Sequence, residues 1–468
     1  MPRWLAPVSL AALCVSSGVL AVRAPTPDTE VRTAAPAAPV LSARRVPAHL
    51  ARVVADARLR AQLDGALADP ALGAGRDRSC LVVRTGRRSI LERRPGERLI
   101  PASNLKVLTG LAVLERLGAG GRLITEVKAQ ADVGLDGVVA GPLWLVGGGD
   151  PLLSTADYAA TLPNQPQPRT PLENLADALV EGGVKVVPGG VVGDETRYDS
   201  QRYIPTWKPT YITDSESGPA SALVVNDGFA QFRPRTVAAP EPDLHAAAVL
   251  TGLLQERGVV IGAPPSEGQA PADATVVARL ESPLLSDVVG QMLRESDNLT
   301  AELLVKELGA RFAGSGTTAA GLGVVRETLE EEGLPVDDLA AVDGSGLDRS
   351  DRASCSLIMA AMEVDGPEGV LASGFPVAAR DGTLAMRFRG NPAAGRLRAK
   401  TGALDGVVGL SGFIDPVAEA GANTGAPLQF SLLVNELPRD SVGRALQEQV
   451  GAILASYPDA PSPEELAP

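Results

Sequence analysis

Ser103 and Lys106 are three residues apart at the start of an apolar segment, PASNLKVLTGLAVLERLG (101–118). A serine hydroxyl is a poor nucleophile until a neighbouring base removes its proton. A neutral lysine can be that base, whereas an arginine stays charged at any working pH. The chain has 43 lysines plus arginines, and only six of them are lysines. The residue types and their spacing therefore predict a serine nucleophile activated by Lys106.

A second pattern, Ser-Asp-Asn, lies at 296–298. The Ser296 hydroxyl could pass a proton between Lys106 and a leaving nitrogen. The side-chain amide of Asn298 both donates and accepts hydrogen bonds, so it could hold a substrate carbonyl while orienting the lysine. The alternative for Ser296 and Asn298 is that they cap a helix.

A third pattern, Lys-Thr-Gly, lies at 400–402. Lys400 would be a second cation near Lys106, and a nearby cation and partial burial both lower the pKa of a lysine. The Thr401 hydroxyl and the Lys400 charge suit a substrate carboxylate, and Gly402 would let a substrate backbone lie against a strand. The alternative for Lys400 is a charge on an edge strand.

Other chemistries have little support in the sequence. The two histidines are His49, at the end of a Pro-rich segment, and His245, in the first turn of an ordinary amphipathic pattern. A histidine-dependent hydrolase is therefore not predicted. Neither a CxxC nor an HExxH pattern occurs, so we predict no metal site and no cofactor. A net charge of −13 and 3% aromatic residues argue against a nucleic-acid partner.

The surrounding patterns predict an α+β fold. Segments 80–86 and 88–94 read as a β-hairpin, and a helix that is buried on most sides follows Pro101. Helical patterns return after residue 282. They are followed by strand-like segments at 395–414 and 427–437 and by a closing helix. We expect an all-helical subdomain beside an antiparallel sheet that is built from both ends of the chain.

Composition divides the chain into five parts, listed here with their predicted character. They are 1–24, a signal peptide or N-terminal membrane anchor; 25–47, a flexible Pro/Ala-rich linker; 48–120 with 283–458, a discontinuous catalytic domain; 121–282, one or two inserted α/β domains; and 459–468, a disordered tail. An exported protein is the expectation. Cys80 and Cys355 either form a disulfide or remain buried free thiols, and the oligomeric state is left open.

The three patterns, in this order, are the signature of β-lactamases and penicillin-binding proteins. More specifically, the chain resembles the serine D-alanyl-D-alanine carboxypeptidases/endopeptidases of the class C low-molecular-mass penicillin-binding proteins. Further blocks that resemble this family are LWLVGGGDPLL (143–153), VVGDETRYD (191–199), SALVVNDG (221–228), SDNLTAELL (296–304), DGSGLDRSDRAS (343–354) and FPVAARDGTLAMR (375–387). Several blocks lie inside the predicted insertion, which distinguishes this family from β-lactamases.

The resemblance implies a penicillin-recognising fold, with peptidoglycan stem peptides as substrates and β-lactams as inhibitors. It implies that Ser103 attacks the carbonyl of the penultimate D-Ala and that Lys106 takes its proton. Ser296 and Asn298 would relay the proton and position the peptide. Lys400 and Thr401 would bind the terminal carboxylate, and the backbone N–H groups of Ser103 and Ala403 would form the oxyanion hole.

Ala403 departs from the family pattern, because Thr or Ser usually follows Lys-Thr-Gly. A hydroxyl near the substrate carboxylate is therefore lost, while the backbone donor remains.

Two rival functions are weighed against the D,D-peptidase: a β-lactamase or esterase on the same scaffold, and a catalytically idle wall-binding homologue. Rapid turnover of penicillin would favour the former, and failure to release D-Ala would favour the latter.

Overall fold

The computed structural model describes residues 46–416 and 426–459, together with residues 461, 462 and 465. The predicted export segment at 1–24 and nearly all of the predicted linker lie outside the described residues, as does most of the predicted tail. The chain divides into a terminal unit, Met1–Val53 with Pro461–Pro468, and a main unit, Val54–Ala460. The architecture below is that of the main unit. Among the described residues, no helix is both long and apolar enough to cross a membrane.

The catalytic sheet is antiparallel and takes its strands from both ends of the chain. In spatial order its five strands are Leu397–Leu404, Val407–Ile414, Leu428–Val434, Ser79–Thr85 and Arg88–Arg93. The predicted hairpin is present, with Gly86 at a positive φ of 53° in its turn. Val407–Ile414 and Leu428–Val434 are buried along their whole length, because helices cover both faces of the sheet's centre.

Helices form a second layer against this sheet. They are Leu105–Leu117, Leu285–Glu295, Asn298–Phe312, Thr318–Glu331 and Cys355–Asp365, and they share one apolar core. Leu105–Leu117 is central, and its first nine residues are all buried, as the leucine pattern predicts. On the other face of the sheet, the closing helix Asp440–Ala455 and the part of the helix Val46–Leu67 that belongs to the main unit complete the catalytic body.

Cys80 and Cys355 form a disulfide, so the alternative of two free thiols is wrong. Cys80 lies in the strand Ser79–Thr85, and Cys355 begins the helix Cys355–Asp365. The bond therefore joins the catalytic sheet to the helical layer across 275 residues of sequence.

Residues between the first and second motifs form a separate α/β layer. Its five strands, in spatial order, are Ser266–Glu267, Val191–Asp194, Leu143–Val146, Ile124–Ala129 and Thr275–Glu281. The first three strands run parallel to one another. The fourth is antiparallel to the third, and the fifth is antiparallel to the fourth. The helices Leu172–Glu181 and Pro242–Glu256 pack on this inserted sheet, and His245 lies in the second of them. The predicted fold class is confirmed, whereas the exact domain boundaries remain predictions.

The remaining elements are short. The helices are Ala156–Ala159, Pro209–Thr213 and Val370–Gly374; the 3-10 turns are Pro70–Arg76, Ala102–Asn104, Asn226–Gly228, Val336–Asp338 and Gly382–Leu384; and the strands are Leu153–Ser154, Thr170–Pro171, Val186–Val187, Phe229–Gln231, Val237–Ala238 and Val260–Ile261. Of these, Ala102–Asn104 and Pro209–Thr213 bear directly on the candidate site.

Candidate active site

Ser103 lies in the 3-10 turn Ala102–Asn104, which leads directly into the helix Leu105–Leu117. Lys106 is in the first turn of that helix, and its Nζ is 3.1 Å from Ser103 Oγ. Ala102 has a φ of 47°, a left-handed conformation that disfavours alanine. Such backbone strain persists only where the surrounding structure imposes it, and it is frequent at functional sites.

Lys106 is completely buried, and its amine has three oxygen neighbours. They are Ser103 Oγ at 3.1 Å, Asn298 Oδ1 at 2.6 Å and the backbone oxygen of Ser345 at 2.7 Å. The last two can only accept hydrogen bonds, whereas the serine hydroxyl can also donate one. A neutral amine fits this arrangement: it donates two N–H bonds and offers its lone pair to the Ser103 proton. This arrangement is the one expected of a general base that is hydrogen-bonded to its nucleophile.

Burial lowers the pKa of Lys106 to about 8, because the charged form loses its hydration. The negative charges of nearby carboxylates oppose this effect: Asp343, Glu302, Asp297 and Asp351. The predicted effect of Lys400 on the pKa of Lys106 remains a prediction. Burial first and the Lys106 charge second lower the pKa of Lys400 well below its usual value.

A buried glutamate supports the loop that supplies the Ser345 oxygen. Glu302 Oε1 accepts hydrogen bonds from the backbone N–H groups of Gly344 at 3.0 Å and Ser345 at 2.9 Å. Thr109, one helical turn after Lys106, donates to the Gly344 oxygen at 2.7 Å. Burial raises the pKa of Glu302 to about 8. These contacts place one of the two backbone carbonyls on which the site depends.

Ser296 and Asn298 flank a helix boundary, and the side chain of neither residue caps a helix. Ser296 ends the helix Leu285–Glu295 with a left-handed φ of 62°. The N-cap of the next helix is Asp297, whose carboxylate accepts from the Thr300 N–H at 3.1 Å. The side chains of Ser296 and Asn298 are therefore available to the site. Ser296 is the C-cap of the first helix through its backbone N–H, which donates to the Met292 oxygen, so the capping alternative holds for the backbone of Ser296 and is wrong for Asn298.

Asn298 connects the lysine to the inserted region. Its Oδ1 faces Lys106, and its Nδ2 donates to the backbone oxygen of Glu216 at 2.6 Å. Glu216 follows the short helix Pro209–Thr213, which belongs to the segment between the first and second motifs. Because a carbonyl must be met by the NH₂ end of the amide, the Glu216 contact fixes Oδ1 as the atom that faces Lys106.

Lys400 is also buried and lies in the edge strand of the catalytic sheet. Its Nζ is 2.8 Å from Ser296 Oγ and 2.8 Å from the Thr401 backbone oxygen. Among the described residues, Ser296 has no hydrogen bond to Lys106. The structure thus connects the Ser296 hydroxyl to Lys400, and any transfer of a proton from Lys106 to Ser296 requires an additional bridging group or a substrate.

Gly402 lets the edge strand approach the turn Ala102–Asn104, which carries Ser103 and is called the nucleophile turn below. A Cβ at this position would lie 2.6 Å from Asn104 Nδ2 and 2.9 Å from the Pro101 backbone oxygen. Glycine is therefore needed for packing against the turn, a reason that differs from the predicted accommodation of a substrate backbone. Ala403, the next residue, is exposed and lines a cleft of about 350 Å³ together with Thr401. This close approach brings the backbones of Ser103 and Ala403 to the same part of the site.

Sequence reasoning missed several groups that complete the site. They are Glu302, the backbone oxygens of Glu216 and Ser345, and the Thr383 hydroxyl, which lies 2.9 Å from the Thr401 hydroxyl. Glu302, Ser345 and Thr383 fall within the blocks SDNLTAELL, DGSGLDRSDRAS and FPVAARDGTLAMR, so a signal for them was present. Nothing in the local sequence marks Glu216, since a backbone carbonyl does not depend on residue type.

The acylation rate should depend on pH through Lys106. Because only the neutral amine can accept the Ser103 proton, the rate constant is expected to increase as pH rises through about 8, the pKa of Lys106. Stopped-flow or competition measurements of penicillin acylation between about pH 6 and about pH 10 would show this increase of the rate constant with pH. A rate that is flat or that falls across this range would contradict Lys106 as the base.

The chain matches the family model described as D-Ala-D-Ala carboxypeptidase 3 (S13) over residues 59–239 and 229–457. A D-alanyl-D-alanine carboxypeptidase of Actinomadura sp. (strain R39) is 30% identical over 486 residues, which cover 87% of this chain and 86% of the relative. A carboxypeptidase of Mycobacterium tuberculosis (strain ATCC 25618 / H37Rv) is 30% identical over 433 residues, which cover 89% of this chain and 86% of the relative.

Solved structures show the same fold. Penicillin binding protein 4 from Haemophilus influenzae superposes with a TM-score of 0.67 at 20% identity, covering 83% of this chain and 96% of that one. A predatory peptidoglycan endopeptidase from Bdellovibrio bacteriovorus superposes with a TM-score of 0.51 at 16% identity, covering 82% and 93%. The motifs, their geometry and these matches lead to one conclusion: the chain belongs to the D-Ala-D-Ala carboxypeptidase 3 (S13) family.

Proposed function

We propose that the chain is a serine D,D-peptidase that hydrolyses the terminal D-Ala-D-Ala bond of peptidoglycan stem peptides through an acyl-enzyme on Ser103. The observation that carries this proposal is the buried Lys106 amine, whose lone pair is left for the Ser103 proton by its bonds to Asn298 and Ser345. The enzyme class follows from the family. The assignment of roles to individual residues is our own.

In the acylation step, Ser103 Oγ bonds to the carbonyl carbon of the penultimate D-Ala while its proton passes to Lys106 Nζ. The resulting ammonium keeps its bonds to Asn298 Oδ1 and the Ser345 oxygen, and nearby carboxylates such as Asp343 offset its charge. The carbonyl oxygen, now negative, would be held by the backbone N–H groups of Ser103 and Ala403.

Collapse of this intermediate breaks the peptide bond, and the leaving nitrogen takes up a proton. The Ser296 hydroxyl, held by Lys400 at 2.8 Å, is the donor we assign to this step. The Lys106 ammonium gives its proton back to Ser296 through the bound substrate, which leaves Lys106 neutral. Water then attacks the acyl carbonyl while Lys106 takes its proton. The bond to Ser103 breaks, Lys106 returns the proton to Ser103 Oγ, and the shortened peptide is released. A β-lactam would acylate Ser103 by the same route and leave slowly, because its ring-opened leaving group stays attached.

We propose that this chemistry takes place outside the cytoplasm, with the chain released or held by residues 1–24 at the outer face of the cytoplasmic membrane. The Cys80–Cys355 disulfide supports an oxidising compartment. Peptidoglycan also lies on that side of the membrane. No nucleic-acid partner is proposed, in keeping with the net charge of −13.

The direct test is release of D-Ala from a stem pentapeptide by the purified protein. Wild type should release it, and Ser103→Ala should be inactive while retaining its unfolding temperature. A cross-linked stem-peptide dimer, assayed in parallel, measures endopeptidase activity. Loss of penicillin from the enzyme at a rate similar to acylation would support the β-lactamase rival instead. Absence of D-Ala release by wild type would support the idle wall-binding rival.

A further inference from the structure

The cleft beside the Lys-Thr-Gly strand has two walls of different origin. One wall is the strand itself from Thr401 onward, and the other comes from the beginning of the closing helix Asp440–Ala455. Arg387 and Arg444 also line it, as does Tyr211 from the inserted region. A volume of about 350 Å³ suits a small part of a peptide. Thr401, which the family resemblance assigns to the terminal carboxylate, lines this cleft together with the two arginines.

The two arginines in this cleft are incompletely paired. Arg387 Nε lies 3.3 Å from Glu448 Oε1, its Nη1 donates to Gln447 at 2.9 Å, and its buried Nη2 has no partner. Arg444 is exposed and, within the described part of the chain, has no carboxylate within 4.0 Å. Burial and the Arg444 charge lower the pKa of Arg387, so the two guanidiniums lie close enough to repel each other. One carboxylate, Glu448, pairs with Arg387 and none pairs with Arg444 among the described residues.

The acidic residues that line the cleft do not pair with either arginine. Asp405 pairs with Lys208, Asp440 accepts from the Gly406 N–H at 3.1 Å, and Glu216 is exposed. None of the three lies within ion-pair distance of Arg387 or Arg444 among the described residues. An anion entering the cleft would therefore meet two incompletely paired guanidiniums.

The substrate brings such an anion. The terminal carboxylate of D-Ala-D-Ala must lie near Thr401, but the neighbouring position that normally adds a hydroxyl is Ala403. Lys400 is turned towards Ser296 Oγ and the Thr401 backbone oxygen, so much of its bonding capacity is already used. Guanidinium groups bind carboxylates in a planar, two-bond geometry that neither a hydroxyl nor an ammonium provides.

We propose that Arg444, supported by Arg387, binds the terminal carboxylate of the leaving D-Ala and replaces the hydroxyl that is absent at Ala403. The inference rests on the proposed D,D-peptidase function and adds the group that selects a free C-terminus. It makes Arg444 a specificity-determining residue for carboxypeptidase substrates.

The test compares an N-acylated D-Ala-D-Ala peptide with the same peptide carrying a C-terminal amide. Wild type should have a higher kcat/KM for the acid. Arg444→Gln should lower kcat/KM for the acid about tenfold or more, the size expected for one charge-assisted hydrogen bond, and should leave the value for the amide nearly unchanged. Arg439→Gln, which removes an exposed arginine outside the cleft lining, is the matched control and should behave as wild type. Adding Ala403→Thr to Arg444→Gln should recover part of the loss.

Binding to Ser103→Ala, measured by calorimetry, separates this inference from the proposed function. If the acid binds more tightly than the amide and Arg444→Gln removes the difference, Arg444 binds the substrate carboxylate even in the absence of turnover. If wild type hydrolyses neither peptide, the proposed function fails and this binding comparison alone decides the inference. Equal losses for acid and amide, or no loss for either, would overturn the role of Arg444.

Discussion

Lys106→Arg is expected to lower the rate of acylation by penicillin by about 10²- to 10⁴-fold, the usual contribution of a general base. The substitution keeps a positive charge and a good helix former, but a guanidinium does not lose its proton at a working pH. Lys106 can do so because burial brings its pKa to about 8. The measurement is the second-order rate constant for a fluorescent penicillin, with unfolding followed in parallel.

Lys128→Arg provides the matched control. Lys128 lies in the inserted sheet, is partly exposed and pairs with Glu126 at 3.5 Å, so the same substitution there should leave acylation unchanged. A larger side chain in the fully buried Lys106 site could also reduce stability, and for this reason Lys106→Met is included as a second variant. If either Lys106 variant folds and acylates at the wild-type rate, Lys106 is not the base.

Gly402→Ala should lower the acylation rate by about 10²-fold, because a misplacement of about 1 Å at a reacting centre has an effect of that size. The added methyl would lie 2.9 Å from the Pro101 backbone oxygen and 2.6 Å from Asn104 Nδ2. The edge strand and the nucleophile turn must then separate, which moves Ser103 relative to Lys400. Overpacking should also cost about 1–3 kcal/mol of unfolding free energy. Acylation kinetics and thermal unfolding measure the two effects.

A control for Gly402→Ala is available on the same strand. Ala403 is exposed and lines the open cleft, so Ala403→Ser adds one atom without a clash and should preserve or improve activity. If Gly402→Ala acylates as fast as Ala403→Ser and unfolds at the wild-type temperature, the close approach of strand and turn is not what the site requires.

The parts of the site that follow local rules could be predicted from the sequence. A spacing of three residues at a helix start places Ser103 beside Lys106, and the structure has them 3.1 Å apart. The strand character of the segment around Lys400 was visible in its pattern, as was the helix that begins at Asn298. Each of these inferences depends on a few neighbouring residues only.

The parts that depend on tertiary contacts could not be predicted. The acceptors that hold Lys106 and Asn298 include the backbone oxygens of Ser345 and Glu216, and any residue type could supply them. The burial that lowers the pKa of both Lys106 and Lys400 also comes from tertiary packing. The reason for Gly402 likewise appears only when the nucleophile turn is seen against the strand.

The measurement that tests the central claim most directly is the location of the covalent adduct formed with benzylpenicillin. Wild-type protein is incubated with the antibiotic, digested and examined by mass spectrometry, with Ser103→Ala treated in the same way. We predict one penicilloyl group, on the peptide that contains Ser103, and no adduct on the variant. An adduct on another residue, or equal labelling of Ser103→Ala, would contradict Ser103 as the nucleophile and with it the mechanism built around Lys106.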